Sequence, residues 1–290
     1  MASRIYCDGA MTNRQLTHII KNQQPLVASV EETVRKACRR MLDSGAGSVL
    51  AVDEDGCLRG IFTGRDAVRM LAKGGDIAGL ALAKAMTRDP ITVNCDHRAI
   101  DALRAMDQGG FRHVPVLRAE RVCGCVSRGD FKGMEFEAFH WHQQGKPSAS
   151  AANRPVGEIV KGQKPICMSG DDTVQAACAK MWKQKRGVVL VLDIEKRLKG
   201  VFTGRDALRA LAWNSNAAGA PLSKTMTKNP TTITPDNTAI DALRAMNDGG
   251  FRHVPVIDGD RILGVVARAD FTGFEIDRLE VEEHLKECLW

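Results

Sequence analysis

Two copies of one short string pair a hydroxyl group with a carboxylate. GIFTGRDA begins at residue 60 and returns as GVFTGRDA at residue 200, so Thr63 and Asp66 have a second copy in Thr203 and Asp206. At the end of a strand this spacing is a capping-box variant, in which the two side chains accept backbone N–H groups at a helix start. A carboxylate at that place can instead accept hydrogen bonds from a vicinal diol, as acidic residues do for ribose. The spacing alone leaves both interpretations open.

Two Arg-His pairs offer basic groups that a phosphorylated ligand would need. Arg112-His113 and Arg252-His253 each follow a Gly-Gly dipeptide and precede a strand-like apolar run. A guanidinium group forms a fork that fits phosphate oxygens, and an imidazole adds a further donor. For one isolated pair, surface charge at a strand start is the better interpretation. Their recurrence, together with the hydroxyl–carboxylate pairs, favours an anionic ligand without excluding surface charge.

The elements that position these residues come from an internal duplication. One constant shift aligns the chain on itself without a gap, so that FTGRDA (62–67), AIDALRAM (99–106) and GGFRHVPV (109–116) recur at 202–207, 239–246 and 249–256. Each copy of about 125 residues has the size of one domain. Each copy also halves, because a weaker echo of the FTGRD string, with Ser127 and Asp130 or with Ala267 and Asp270, follows each full version. The chain therefore contains four repeats of about 60 residues.

The second repeat gives the secondary structure of all four. We predict an extended segment over 90–94, a helix over 97–110 that Gly109-Gly110 ends, strands over 113–117 and 121–127, and a helix that opens at SRGDF. The order is β-α-β-β-α, which predicts an α/β (α+β) fold. One repeat cannot bury both its sheet and its helices, so two repeats must pair into one module with a shared core.

These patterns set the expected domain boundaries. A linker rich in Gly, Pro, Ser and Ala separates the copies, and an amphipathic tail follows the second copy. The prediction is an N-terminal segment (1–12), a first module (13–139, with repeats at about 13–75 and 80–136), a linker (140–152), a second module (153–276, with repeats at about 153–215 and 220–276) and a helical C-terminal tail (277–290).

Composition narrows the class of protein. The 290 residues are 44% hydrophobic and 26% charged, as in soluble globular proteins. No apolar run reaches the roughly 18 residues of a membrane helix, and no secretory signal is visible, so we expect a cytoplasmic protein with no membrane contact. The nine cysteines lack zinc-ligand spacing, and no metal site is expected. The net charge of +6 comes without a basic tract, which makes nucleic acid an improbable partner.

Three recurring signatures resemble CBS domains: the FTGRD strings, KAMTRDPITV (84–93) with KTMTKNPTTI (224–233), and FRHVPV. The resemblance covers almost the whole chain. It implies four CBS motifs paired into two Bateman modules in a pseudo-twofold disc, similar in plan to the nucleotide-sensing subunit of AMP-activated kinase. It further implies an adenosine ligand, namely AMP, ADP, ATP, S-adenosylmethionine or a dinucleotide, with no cofactor required.

The same resemblance assigns residues to the parts of such a ligand. Ribose contacts fall on Thr63, Asp66, Thr203 and Asp206, with weaker sites at Ser127, Asp130 and Asp270 because Ala267 lacks the hydroxyl. Phosphate contacts fall on Arg112, His113, Arg252 and His253. The adenine walls are expected at Ile91, Thr92, Thr231 and Thr232. These assignments predict two complete sites, one per module, that join ribose contacts from one half to phosphate contacts from the other.

The expected function is therefore a regulatory adenosine-nucleotide sensor rather than an enzyme. A bound nucleotide would bias the orientation of the two halves of a module. A ligand-free CBS scaffold for dimerisation is the alternative, and a nucleotide-processing enzyme is a weaker one because no nucleophile or P-loop pattern recurs. The expected partners are the nucleotide and either a second copy of the chain or an unidentified effector protein.

Overall fold

The computed structural model describes residues 13–144 and 153–288. A short helix α1 (Leu16–Ile20) leads into the first repeat, which consists of β1 (Val27–Ser29), α2 (Val34–Ser44), β2 (Ser48–Val52), β3 (Leu58–Thr63) and α3 (Gly64–Lys73). The linking elements α4 (Leu82–Ala85) and β4 (Thr87–Arg88) follow. The second repeat contains β5 (Val93–Asn94), α5 (Ala99–Gly109), β6 (His113–Arg118), β7 (Arg121–Ser127) and α6 (Gly133–Gln144).

The second module repeats this order, except that a single bridge between Ile233 and Val256 stands in place of a strand matching β5. It contains α7 (Val156–Ile159), β8 (Cys167–Ser169), α8 (Val174–Gln184), β9 (Val188–Leu192), β10 (Leu198–Thr203), α9 (Gly204–Trp213), α10 (Leu222–Thr225), β11 (Thr227–Lys228), α11 (Ala239–Gly249), β12 (His253–Asp258), β13 (Arg261–Ala267) and α12 (Gly273–Cys288). The predicted α+β fold of paired β-α-β-β-α repeats is confirmed.

Local sequence explains where the helices begin and end. Thr33 accepts a hydrogen bond from Lys36 N–H at the start of α2, and Gly45 ends that helix in the left-handed region at φ 69°. Gly110 ends α5 in the same way at φ 61°. Because glycine adopts positive φ without steric cost, these two positions fix the turns into β2 and β6.

Each repeat carries its own sheet. The strand orders are β1-β2-β3-β4 and β5-β6-β7 in the first module, and β8-β9-β10-β11 and β12-β13 in the second. Ser48 pairs with Thr63 where β2 starts and β3 ends, and His113 pairs with Ser127 where β6 starts and β7 ends. The antiparallel register therefore collects the candidate site residues at one end of each sheet.

The two cores cross the boundary between modules. One cluster joins the first repeats of both modules and includes Phe62 and Phe202, which are fully buried. The other joins the second repeats and includes Met106 and Met246. Helix α3 packs on α8 and α9, α2 packs on α9, and α6 packs on α12. Each core therefore ties one module to the other.

The N-termini of α3 and α9 meet at an approximate twofold axis between the modules. A Cβ atom on Gly64 would come within 3.1 Å of the Gly204 carbonyl oxygen, and a Cβ on Gly204 within 3.2 Å of the Gly64 carbonyl oxygen. The two helix starts therefore touch through backbone alone. Only glycine permits this contact without displacing the main chain.

One flank of the junction carries an arginine clamp that the other flank lacks. Arg39 on α2 donates from Nε to the Ala212 carbonyl oxygen at 3.0 Å, and its guanidinium lies 4.7 Å from the centre of the Trp213 ring. The duplication places Ala179 and Lys73 at the matching positions of α8 and α3. The approximate symmetry is therefore broken at the ends of α3 and α9.

Several predicted boundaries differ from the structure. Helix α6 continues to Gln144, so the segment predicted as linker from residue 140 begins as helix. The helix predicted to open at SRGDF starts instead at Gly133, after a single 3₁₀ turn over Arg128–Asp130. Helix α12 starts at Gly273, before the predicted tail at 277. The predicted N-terminal segment (1–12) and linker residues 145–152 lie outside the described residues.

The junction contact gives a stability prediction. Gly204→Ala places a methyl group against the Gly64 backbone, so we expect a loss of about 1–3 kcal/mol in the free energy of unfolding, measured by urea denaturation. Gly129→Ala is the control, because its Cβ would meet nothing closer than Ser127 Oγ at 3.7 Å. Equal stability of the two variants would contradict a tight junction.

Candidate functional site

The structure brings the two predicted halves of the first site together. Arg65, two residues after Thr63, donates from Nη1 to the carbonyl oxygen of Gly110, two residues before the Arg-His pair, at 2.6 Å. A Cβ on Gly47 would lie 2.6 Å from His113 Nε2. The strand ends of both repeats thus face one another inside the module, with the imidazole against a position that has no side chain.

Asp66 is a helix cap whose carboxylate is already fully used. Its Oδ2 accepts from the Thr63 backbone N–H at 3.0 Å and from the Thr63 hydroxyl at 2.8 Å. Its Oδ1 accepts from Arg69 Nη2 at 2.8 Å and from the Thr87 hydroxyl at 2.7 Å. Only 4% of the residue is exposed. A ribose diol would have to displace Arg69 or Thr87 to reach this carboxylate.

Asp206 repeats the arrangement in the second module. Thr203 donates to Oδ2 from both its N–H and its hydroxyl at 2.8 Å, while Arg209 and Thr227 donate to Oδ1 at 2.7 and 2.9 Å. The capping interpretation of the duplicated string is therefore realised in full in both copies. The ribose role of Thr63, Asp66, Thr203 and Asp206 stays a prediction.

The carboxylates of the weaker echoes are more available. Asp130 Oδ2 accepts from the Ser127 N–H and hydroxyl at 2.6 and 2.9 Å, and Oδ1 has a long contact of 3.5 Å with Gln23 Nε2. Asp270 is exposed, and its Oδ2 accepts from Ala267 N–H at 2.7 Å. Within the described ranges its Oδ1 has no hydrogen bond. The sites predicted to be weaker therefore hold the carboxylates with acceptor capacity to spare.

The basic groups do not stay within their own modules. Arg112 Nη2 would lie 3.9 Å from a Cβ on Gly187 of the second module, and His253 Nε2 would lie 2.9 Å from the same Cβ. Arg112 lies in a bend just before β6 begins at His113, and the two adjacent side chains have different neighbours, Gly187 for Arg112 and Gly47 for His113. Arg112 therefore lies near the imidazole of the other module, and the phosphate role of Arg112, His113, Arg252 and His253 stays a prediction.

The pKa shifts of the two histidines indicate the same influence of one module on the other. Burial lowers the pKa of His113 to about 4, and the largest charge effect on it comes from Arg252, ahead of neighbouring Arg112. Burial likewise lowers the pKa of His253 to about 4, and there Arg112 contributes more than Arg252. Each imidazole therefore senses the arginine of the other module most strongly.

The guanidinium groups crowd one another. Desolvation lowers the pKa of Arg112, and the charge of Arg252 lowers it further. Desolvation also lowers the pKa of Arg252, with further lowering by Arg268 and Arg205 and an opposing effect of Asp130. Arginine remains protonated despite such shifts. The junction is consequently a concentration of positive charge.

One nitrogen in this cluster lacks a partner. His113 Nε2 is buried and makes no hydrogen bond with any residue of the described part of the chain. A buried polar atom without a partner costs free energy, and such atoms often mark a place for a ligand. An anionic oxygen that accepts a hydrogen bond from Nε2–H would satisfy it.

The expected adenine walls lie where the chain passes between two sheets. Ile91 and Thr92 stand between β4, which pairs with β3, and β5, which pairs with β6. Ile91 is 54% exposed, Thr231 is exposed and Thr232 is half-buried. Their position beside the gap between sheets suits a planar base, and their assignment as adenine walls stays a prediction.

Sequence reasoning missed the residues that occupy the capping carboxylates. Arg69 and Arg209 stand three positions after Asp66 and Asp206, a spacing that places a basic side chain next to a carboxylate on one helix face. This three-residue spacing could have been recognised in the sequence. The hydroxyl groups of Thr87 and Thr227 arrive from another strand, far from the helix start in sequence, and no local pattern indicates them.

Paired β-α-β-β-α repeats with facing strand ends define a class of proteins built from tandem pairs of small α+β domains. The model of the CBS domain matches residues 18–73, 80–133, 156–212 and 222–276. The chain belongs to the CBS domain family and carries four CBS domains in tandem, as the motifs predicted.

Relatives and solved structures agree with this membership. The CBS domain-containing protein CBSCBSPB2 of Arabidopsis thaliana is 31% identical over 87% of this chain and 51% of its own length, and CBSCBSPB5 is 28% identical over 89% and 52%. The chain spans about half the length of these relatives. The crystal structure of MJ1225 from Methanocaldococcus jannaschii, described as an archaeal homologue of γ-AMPK, matches with a TM-score of 0.70 at 15% identity and covers 89% of this chain and 98% of that one. This likeness shows the fold.

Among the residues that the structure describes, no helix has the length and apolar character needed to cross a bilayer.

The internal use of Asp66 gives a stability prediction. Asp66→Asn breaks a largely buried ion pair with Arg69, and we expect about 3 kcal/mol lower free energy of unfolding by urea denaturation. Asp270→Asn, at the exposed matching position, is the control and should lose less than about 1 kcal/mol. A mild effect of Asp66→Asn, equal to the control, would contradict a structural role for this carboxylate.

The histidines give a pH prediction. Their pKa of about 4 in the folded protein lies below the ordinary value of 6.5, so the unfolded chain binds protons first as pH falls. Stability should therefore fall between pH 6.5 and pH 4, by up to about 3 kcal/mol per histidine. Urea denaturation in anion-poor buffer at a series of pH values measures how steeply the free energy of unfolding falls with pH. The double variant His113→Gln, His253→Gln should have a shallower pH dependence. An unchanged slope in that variant would refute the assignment.

Proposed function

We propose that the chain is a regulatory sensor of phosphorylated adenosine nucleotides, AMP, ADP or ATP, bound between paired CBS domains. The observation that carries the proposal is the cluster of Arg112, Arg252, His113 and His253 at facing strand ends, with His113 Nε2 buried and unpartnered among the described residues. Two guanidinium groups short of counter-charge, beside two imidazoles that can donate hydrogen bonds, are suited to phosphate oxygens. The membership in the CBS family and the likeness to a γ-AMPK homologue support the choice of adenosine.

Charge favours phosphorylated ligands over S-adenosylmethionine. The sulfonium group of that ligand is a cation, and it would approach guanidinium groups whose pKa values are already lowered by neighbouring arginines. For the ribose, the spare acceptor atoms favour Asp130 and Asp270. Binding at Asp66 or Asp206 would first require release of Arg69 or Arg209.

The proposal is for binding without turnover. A nucleotide held across a module would stabilise one orientation of its two repeats, and an effector protein or a second copy of the chain would read that orientation. We place this activity in the cytoplasm, where nucleotides are abundant, and the seven cysteines whose side chains the structure describes are all free thiols. ATP recovered unchanged after incubation with the protein would support it, whereas steady hydrolysis would contradict it.

A ligand-free scaffold is the second candidate, and one observation favours it. The Thr63–Asp66 and Thr203–Asp206 pairs are explained in full by helix capping and by ion pairs to the same helix. Their duplication therefore needs no ligand. The basic cluster at the junction is the feature that a scaffold leaves unexplained.

Thermal unfolding in the presence of ligands separates these candidates. A ligand that binds the native state at a hundred times its Kd stabilises the protein by about 2.7 kcal/mol, so AMP, ADP or ATP should raise the Tm at millimolar concentration. Adenosine and S-adenosylmethionine should raise it less. Arg112→Gln should reduce the nucleotide effect, and Arg197→Gln, at the far end of β10, is the matched control. No shift with any nucleotide would favour the scaffold, and an equal shift with adenosine would refute phosphate recognition.

A further inference from the structure

We propose that the two anion sites of the chain are one negatively coupled unit, in which occupation of either site weakens the other. The proposal rests on the proposed function for the identity of the natural ligand, but not for the coupling. The first site is the group of His113, Arg252 and Gly47, and the second site is the group of His253, Arg112 and Gly187.

The second site is completed across the module boundary, and the first site is influenced by a charge from the other module. At the second site, the imidazole of His253 and the guanidinium of Arg112 converge on Gly187, which has no side chain to keep them apart. At the first site, His113 lies against Gly47 and senses the charge of Arg252 more than that of Arg112. Arg112 therefore completes the second site from the other module, and the charge of Arg252 acts on the first site from the other module.

The charges of the junction act as one group. The charges of Arg252, Arg65 and Arg128 lower the pKa of Arg112. The charges of Arg268 and Arg205 lower the pKa of Arg252, and the charge of Asp130 raises it. Hydrogen bonds hold Arg65 to a carbonyl oxygen and Arg268 to Asn247, but these partners carry no charge. Apart from a distant contact of Arg128 with Asp107 at 4.0 Å, Asp130 is the counter-charge that the described residues bring to this group.

The sign of the coupling follows from the four ligation states, in which neither site, the first site alone, the second site alone or both sites hold an anion. Repulsion among the arginines is present in all four states, so it cancels from the comparison between binding to the empty and to the half-filled protein. The remaining contribution is the repulsion between the two bound anions, which exists only when both sites are filled. The second anion therefore binds more weakly than the first, and by reciprocity either order gives the same factor.

The fold prevents the chain from escaping this repulsion. The backbone contact at Gly64 and Gly204 and the two shared cores fix the distance between the modules. Salt screens exposed charges beyond about 8 Å at physiological ionic strength, so the coupling should shrink as salt is added.

Asp130 determines which of the two sites binds an anion first. Its carboxylate is near enough to Arg252 to raise the pKa of that arginine, and it repels an anion at the first site. Arg112 shows no such influence from a carboxylate of the described residues. The second site, with His253 and Arg112, should therefore fill first.

The test uses inorganic pyrophosphate as the probe and the two imidazoles as separate reporters. NMR titration of the full chain follows the His113 and His253 ring signals, which His113→Gln and His253→Gln assign by their loss. We expect the His253 signals to respond first and the His113 signals to require about fivefold or more pyrophosphate, with the two curves converging at high salt.

Arg252→Gln provides the second measurement, because the guanidinium of Arg252 makes no hydrogen bond within the described ranges and its loss should not unfold the chain. It should weaken pyrophosphate at both reporters, whereas Arg197→Gln, about 20 Å away along β10, should weaken neither. Two independent curves of equal midpoint at every salt concentration, an effect of Arg252→Gln on one reporter alone, or no pyrophosphate binding would each overturn the coupling. A coupled response to pyrophosphate without any preference for AMP, ADP or ATP would instead refute the nucleotide proposal and leave the coupling standing.

Discussion

The contact between the N-termini of α3 and α9 is the constraint on which the rest of the arrangement depends. Two helix starts that each carry a partial positive charge are held together through the backbones of Gly64 and Gly204. This placement is unfavourable electrostatically, and it is maintained by apolar burial in two cores that each include residues of both modules. It gathers the strand ends, and with them the arginines and histidines, around one axis.

The repeat architecture could be predicted almost entirely from sequence, because the duplication of the whole module presents nearly every helix and strand signal twice. The composition of the site could be predicted as well. Which basic residue lies near which part of the other module could not be predicted, because Arg112 and His113 are adjacent in sequence and suggested a common target. Arg112 lies in the bend before β6 and approaches Gly187 of the other module, whereas His113 lies against Gly47 of its own module. Contacts between modules leave no trace in the spacing of one motif.

Asp66 illustrates a second limit of sequence reasoning. A Thr-x-x-Asp string satisfies the demands of helix capping and of ribose binding equally well, so the string cannot distinguish them. The structure shows the capping bonds complete and adds Arg69 and Thr87, which use the remaining acceptor capacity. The weaker echoes, where Asp130 and Asp270 make fewer internal bonds, keep oxygen atoms available. Imperfect copies of a motif can therefore be the more accessible ones.

The clamp of Arg39 on Ala212 and Trp213 has a consequence for recognition by other proteins. A body with true twofold symmetry presents the same surface twice, and a single partner would bind it in either of two equivalent orientations. Here one flank displays an indole ring covered by a guanidinium group, while the opposite flank has Ala179 and Lys73 in those positions. The duplicated chain is thus directional, and a partner that contacts this flank can adopt one orientation alone.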